Sequence, residues 1–148
     1  MDIIFKYIST LGFIGYLPLA PGTFGSLVGL LVLFLLKPPP LLHLAILSVV
    51  IPIGIVSSHS AERLLSEKDS RHIVIDEFCG YLLSMLFLPL SIGYAAAAFF
   101  LFRILDILKP FPIRRMELIG GGKGIMADDA VAALYTNFVL QAWKLVHH

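Results

Sequence analysis

The chain has 148 residues and a formal net charge of +1; 58% of its residues are hydrophobic and only 14% charged, against about 45–50% and about 25% in ordinary globular chains. That balance points to one domain embedded in or docked on a membrane, and the lack of a basic tail or aromatic-basic patch excludes nucleic acid as a partner. The lone cysteine, Cys79, excludes an internal disulfide and a thiolate zinc site, and beside Phe78, Gly80 and Tyr81 it reads as a packed residue rather than a nucleophile.

Met1–Tyr16 has a loose helical apolar pattern that ends in glycines. It suits equally a segment lying along a membrane surface and one that covers the core. Asp2 and Lys6 among its scattered apolar residues argue against a cleavable signal peptide. In Leu17–Ser26 (LPLAPGTFGS), two prolines and two glycines are expected to forbid a helix, with Thr23 or Ser26 as N-cap of the next one. Phe24–Leu36 is an apolar run stopped by Lys37-Pro38-Pro39-Pro40. Leu41–Ser58 is a second run, interrupted by Pro52, with helix expected to about Leu65 and a charged loop over Ser66–Arg71. Asp76-Glu77 open the segment Phe78–Leu88, Pro89-Leu90-Ser91 break it, and Ile92–Leu108 is the next helix. The run Gly120-Gly121-Gly122-Lys123-Gly124 reads as a mobile or close-approach turn. Ala127–Val146 is the last helix, with Asp128 and Asp129 in its first turn, where the helix dipole favours negative charge. The final His147-His148 suits a native end or the start of a purification tag.

Lengths constrain the topology. Crossing a bilayer core of about 30 Å takes about 20 helical residues. Tyr81–Phe102 is long enough, but a single crossing would separate Asp76-Glu77 from Arg103-Asp106. A hairpin turning at Pro89 returns both to one end, and the basic flanks (Lys68 and Arg71 before, Arg103 to Arg115 after) favour one side of the membrane. Folding Phe24–Leu36 against Leu41–Ser58, with the prolines at the far tip, adds Thr23, His59, Glu62, Lys109, Asp128 and Asp129 to that end. The expected fold is therefore all-α: a compact bundle of antiparallel hairpins, membrane-embedded or membrane-docked, with a polar metal site at one end. A wholly soluble bundle satisfies the same lengths.

The polar residues at that end carry the chemistry. Asp76 and Glu77 point about 100° apart on a helix, so one can face a cluster while the other supports it. A solvated helix N-terminus is the competing explanation, weakened by the cost of acids beside an apolar segment. Arg103 and Asp106, three apart, share a helix face, either as a simple ion pair or as site residues. Lys109-Pro110-Phe111-Pro112 is a rigid extended turn that can hold Lys109 beside an anion, whereas Arg114 and Arg115 read as snorkelling cations. The Asp128-Asp129 pair suggests a hard cation bound by oxygen, with Mg2+ preferred because it tolerates few carboxylates alongside phosphate oxygens. Five acids can hold one ion or two. His43, His59 and His72 read as structural, the last two with a supporting place behind the ligands as the alternative. Rival chemistries fail on pattern: the glycine run lacks P-loop spacing, Met85 stands where a cysteine phosphatase needs arginine, and no D-x-D is present.

Four ordered stretches, Pro18–Leu27 (PLAPGTFGSL), Ile75–Gly80 (IDEFCG), Phe102–Ile113 (FRILDILKPFPI) and Gly124–Asp129 (GIMADD), resemble the phosphatidylglycerophosphatase A family over nearly the whole chain. The resemblance implies Mg2+-dependent hydrolysis of phosphatidylglycerophosphate to phosphatidylglycerol and phosphate at the bacterial inner membrane, with the site facing the cytoplasm. It implies Asp76, Glu77, Asp106, Asp128 and Asp129 as metal ligands and Arg103 and Lys109 as phosphate-holding residues. Asp76, Arg103, Asp106, Lys109 and Asp129 form the expected catalytic set, with Thr23 and Ser26 on the substrate side. Ala133 stands where a glycine is expected, a difference that bears on helix packing. A small membrane transporter using clustered carboxylates is the alternative, but it would need acids in mid-bilayer and inverted repeats. A CDP-alcohol phosphotransferase would need its spaced aspartate signature, which is missing.

Overall fold

The computed structural model describes residues 1–147, and among them finds seven α-helices and no strand. His148, half of the terminal histidine pair, lies outside the described residues. The helices are α1 (Asp2–Ser9), α2 (Pro21–Leu36), α3 (Pro40–Leu65), α4 (Ile75–Ser84), α5 (Ile92–Leu108), α6 (Ile113–Met116) and α7 (Gly121–Val146), with 3-10 turns at Ile14–Tyr16 and Glu117–Ile119.

Three boundaries differ from expectation, each for a local reason. Helix α2 begins at Pro21, inside the stretch expected to be non-helical. Proline suits the first helical position, where its missing N–H would be unpaired anyway. Ala20 is the N-cap and no side chain caps the helix, so Thr23 and Ser26 lie within it. Helix α3 runs unbroken through Pro52. Helix α7 starts at Gly121, so the glycine run is its first turn rather than a mobile connection. Asp128 and Asp129 therefore sit about two turns in, beyond the first turn where the dipole acts.

Close backbone approach decides what packs on what. Helix α4 is short and lies at the centre, with α2, α7 and α3 packed on it. A Cβ on Gly25 of α2 would stand 2.9 Å from the Val74 carbonyl oxygen at the start of α4. A Cβ on Gly122 of α7 would stand 2.0 Å from the Ile55 carbonyl oxygen of α3. Helices α2 and α3 were expected to fold against each other; instead α2 packs chiefly on α4, and α3 on α1 and α7. The chain turns back between α4 and α5, laying the Phe102 ring on Gly80. The core there includes Tyr81, Leu82, Phe102, Ile113 and Ala133, the last fully buried where a small residue is needed.

At 26 residues, α3 is the one helix among those described that is long and apolar enough to cross a membrane. Only 28% of its apolar stretch is buried. Large apolar side chains elsewhere are exposed as well, among them Leu35, Phe100, Phe138 and Leu145.

Gly122→Ala should destabilise the protein by about 1–3 kcal/mol through overpacking. Gly93→Ala, in α5 with open space around it, should be neutral or stabilising by up to about 1 kcal/mol. Thermal unfolding of both variants in one detergent checks the contrast.

Candidate active site

The carboxylate cluster is built on the first turn of α4. Ile73, Val74 and Ile75 are nearly fully buried, and the Val74 N–H donates to the Ser9 carbonyl at 2.9 Å. That anchoring fixes Asp76 and Glu77, which come next in the chain. Helix α5 brings Arg103 and Asp106 on its last turns, and Lys109 caps it in the left-handed region at φ 48°. Helix α7 brings Asp128 and Asp129.

These residues meet. One oxygen each from Asp76, Asp128 and Asp129 lie within 4.8 Å of one another, and Glu77, Asp106 and Asp129 form a second triad on the same spacing. Asp129 belongs to both. Opposed ligands on Mg2+ stand about 4.0–4.2 Å apart, and on Ca2+ about 4.6–5.2 Å. The cluster therefore needs little movement to close on a hard divalent cation. Arg103 donates to Asp106 Oδ2 at 2.5 Å and lies 3.9 Å from Glu77 Oε1. Lys109 Nζ donates to Asp128 Oδ2 at 2.9 Å and also to Glu117. The remaining oxygen of Asp128, Oδ1, accepts from the Asp129 N–H.

Asp76, Asp106, Asp128 and Asp129 are all buried. Burial, then the charge of Glu77, holds the Asp76 carboxyl well above the usual carboxylate range. Burial, then the charges of Asp76 and Asp106, does the same for Asp129. Asp128 is also pushed up by burial, with Lys109 acting against the shift. For Lys109, burial would lower the pKa, but its hydrogen bonds to Glu117 and Asp128 outweigh it and hold the ammonium above the ordinary lysine range. Asp76 Oδ1, Glu77 Oε2 and Asp129 Oδ2 are buried with no hydrogen-bond partner, as is Arg103 Nε. Unpaired buried carboxylate oxygens are costly, and three of them in one cluster suit ligation of a cation.

The other expected residues divide. Thr23 is half-buried next to Gly22, whose Cβ position lies 2.3 Å from Glu77 Oε1 and 3.2 Å from Arg103 Nη2. Ser26 is fully buried and donates to the Gly22 carbonyl of its own helix at 3.2 Å. His43 and His72 bond to the carbonyls of Leu82 and Gly15 at 2.9 and 2.8 Å, a structural use. His59 is exposed beside Gly121. Arg114 and Arg115 are exposed, with Arg115 over the Phe111 ring. Sequence reasoning missed Gly22 and Glu117, and it missed an open cleft of about 330 Å³ beside the cluster, lined by Glu62, Lys68, Asp69, Glu117 and Asp128. The glycine was readable only as part of the PGT motif; Glu117 carried no periodic signal.

Comparison with known proteins gives a consistent result. The chain matches the family model described as phosphatidylglycerophosphatase A over residues 7–144. Phosphatidylglycerophosphatase A of Escherichia coli is 36% identical over 137 residues, covering 90% of this chain and 78% of that protein. Phosphatidylglycerophosphatase A of Haemophilus influenzae is 39% identical over 135 residues, covering 85% and 82%. A Bacteroides thetaiotaomicron protein described provisionally as a phosphatidylinositol-3-phosphatase is 37% identical over 137 residues, covering 86% and 85%. No solved structure matches the chain.

A carboxyl whose pKa is raised in the fold favours the folded state at low pH, and that advantage is lost as pH rises through the raised value. In the presence of chelator, the Tm should therefore rise as pH falls from about 8 towards about 5.5. Asp129→Asn should raise the Tm at the upper end of that range and flatten the slope; a Tm that falls steadily on acidification would count against the buried cluster.

Proposed function

Because the chain belongs to the phosphatidylglycerophosphatase A family and is a phospholipid phosphatase, we propose that it hydrolyses phosphatidylglycerophosphate to phosphatidylglycerol and inorganic phosphate with Mg2+ as cofactor. The observation that carries this reading is the convergence of five carboxylates from three helices around Arg103 and Lys109. The family assignment does not favour a transporter.

Asp76, Asp128 and Asp129 would hold one cation, and Glu77 and Asp106 a second through the shared Asp129. A bound Mg2+ supplies charge neutralisation at the phosphoryl group and acidifies an attacking water. The protein's own groups do the rest. Arg103 would take phosphate oxygens with its planar fork and Lys109 with a point charge, countering negative charge that builds as the ester bond breaks. Of the five acids, Asp128 is the one that lines the cleft, and both of its oxygens are engaged, by Lys109 and by the Asp129 N–H. Water is therefore the proposed nucleophile rather than an aspartate. Thr23, with Ser26 behind it, is proposed on the substrate side.

The chain is proposed to act as one domain, with α4 and α5 as an antiparallel hairpin and the metal site at one end. The exposed apolar side chains and α3 support a bundle seated in the bilayer. Lys68, Arg71, Lys109, Arg114 and Arg115 support placing the site end at the cytoplasmic headgroup plane of the bacterial inner membrane. The provisional name of the Bacteroides relative supports a second reading, in which the scissile phosphate sits on inositol.

Phosphate release from phosphatidylglycerophosphate, phosphatidylinositol-3-phosphate and phosphatidic acid, each with Mg2+ or with chelator, separates these. The first lipid should be preferred and its turnover lost with chelator. Asp128→Asn and Asp76→Asn should each lower kcat by at least about 100-fold while the protein stays folded. Near-native turnover in both would discard the site, and preference for the inositol lipid would transfer the assignment.

A further inference from the structure

Lys109 offers three donors, and two of its contacts in the structure are carboxylates of unlike character. Asp128 is buried, with a side chain 6% exposed, and is fixed from behind by the Asp129 N–H. Glu117 is 41% exposed and stands on the three-residue turn between α6 and α7, at the wall of the open cleft. Of the two carboxylates on Lys109, Glu117 is the more exposed, and both line the cleft. We infer that Glu117 is a stand-in for the substrate's phosphate, occupying the seat on the Lys109 ammonium that a lipid phosphomonoester takes, and yielding it on binding. This rests on the proposed role of Lys109.

The energetics suit a displaceable group. An ion pair with so exposed a partner contributes at most about 1 kcal/mol, whereas the pair with Asp128 is sheltered. A phosphate dianion brings more charge to the same ammonium and can displace the weaker partner while leaving the stronger. Glu117 then acts as an internal competitor: it holds the Lys109 ammonium until substrate binds and raises the concentration of lipid needed to fill the site. About 1 kcal/mol corresponds to at most about a fivefold effect on binding.

The experiment measures initial rates with phosphatidylglycerophosphate in mixed micelles, with inorganic phosphate as product inhibitor, for the native enzyme, Glu117→Gln and Lys109→Gln. Glutamine keeps the shape and removes the charge. The expected result is a KM about two- to fivefold lower in Glu117→Gln, a matching fall in the inhibition constant of phosphate, and a difference from native that shrinks at high salt. Equal Tm values for the two proteins keep the comparison free of folding effects. An unchanged or higher KM in Glu117→Gln, or a lower kcat, overturns the inference while leaving the phosphatase reading intact. A native KM in Lys109→Gln overturns both the inference and the phosphate-holding role of Lys109.

Discussion

The candidate site depends on keeping five carboxylates together inside an apolar protein. Carboxylate oxygens in each triad lie within 4.8 Å of one another, and two unit charges that close repel by at least about 3 kcal/mol at an effective dielectric constant near 20. Arg103 and Lys109 offset part of that repulsion but cannot match five acids. Burial first, and that repulsion second, shifts Asp76 and Asp129 towards protonation. A divalent cation would remove that repulsion at source, and the carboxylates are close enough together to hold one.

Holding the acids there is a task for packing rather than for charge. Helix α4 is short, yet its first turn is pinned by three consecutive buried residues and by the bond from Val74 to Ser9. Around it, α2 and α7 come close through positions where a side chain has no room, Gly22 against Glu77 and Gly122 against α3. The carboxylates are thus held by close packing of the helices that carry them.

The acids were legible in the sequence because strong charges are rare in so apolar a chain and have few reasons to be there. Helix α5 was legible too: Ser91 accepts from the Tyr94 N–H at its start, and Lys109 ends it before a proline. What resisted reading depended on distant partners. The first turn of α7 is mostly glycine, poor evidence for helix on propensity, and it is helical because Gly122 lies on the Ile55 carbonyl, from a helix far earlier in the chain. Proline and glycine at the start of α2 misled in the same way. The mutual packing of α2 and α3 failed as an expectation because their small residues face α4 and α7 instead. Glu117 was invisible, since its link to Lys109 spans a turn with no period of its own.

Helix α5 carries Arg103, Asp106 and Lys109 at intervals of three, between a capped start and a left-handed end. Each residue added to a helix rotates the groups beyond it by about 100° and advances them by about 1.5 Å. This helix is consequently a ruler whose graduations are chemical groups. Its length is quantised by the site: one residue inserted between Arg103 and Lys109 would turn the lysine about 100° away from Asp128.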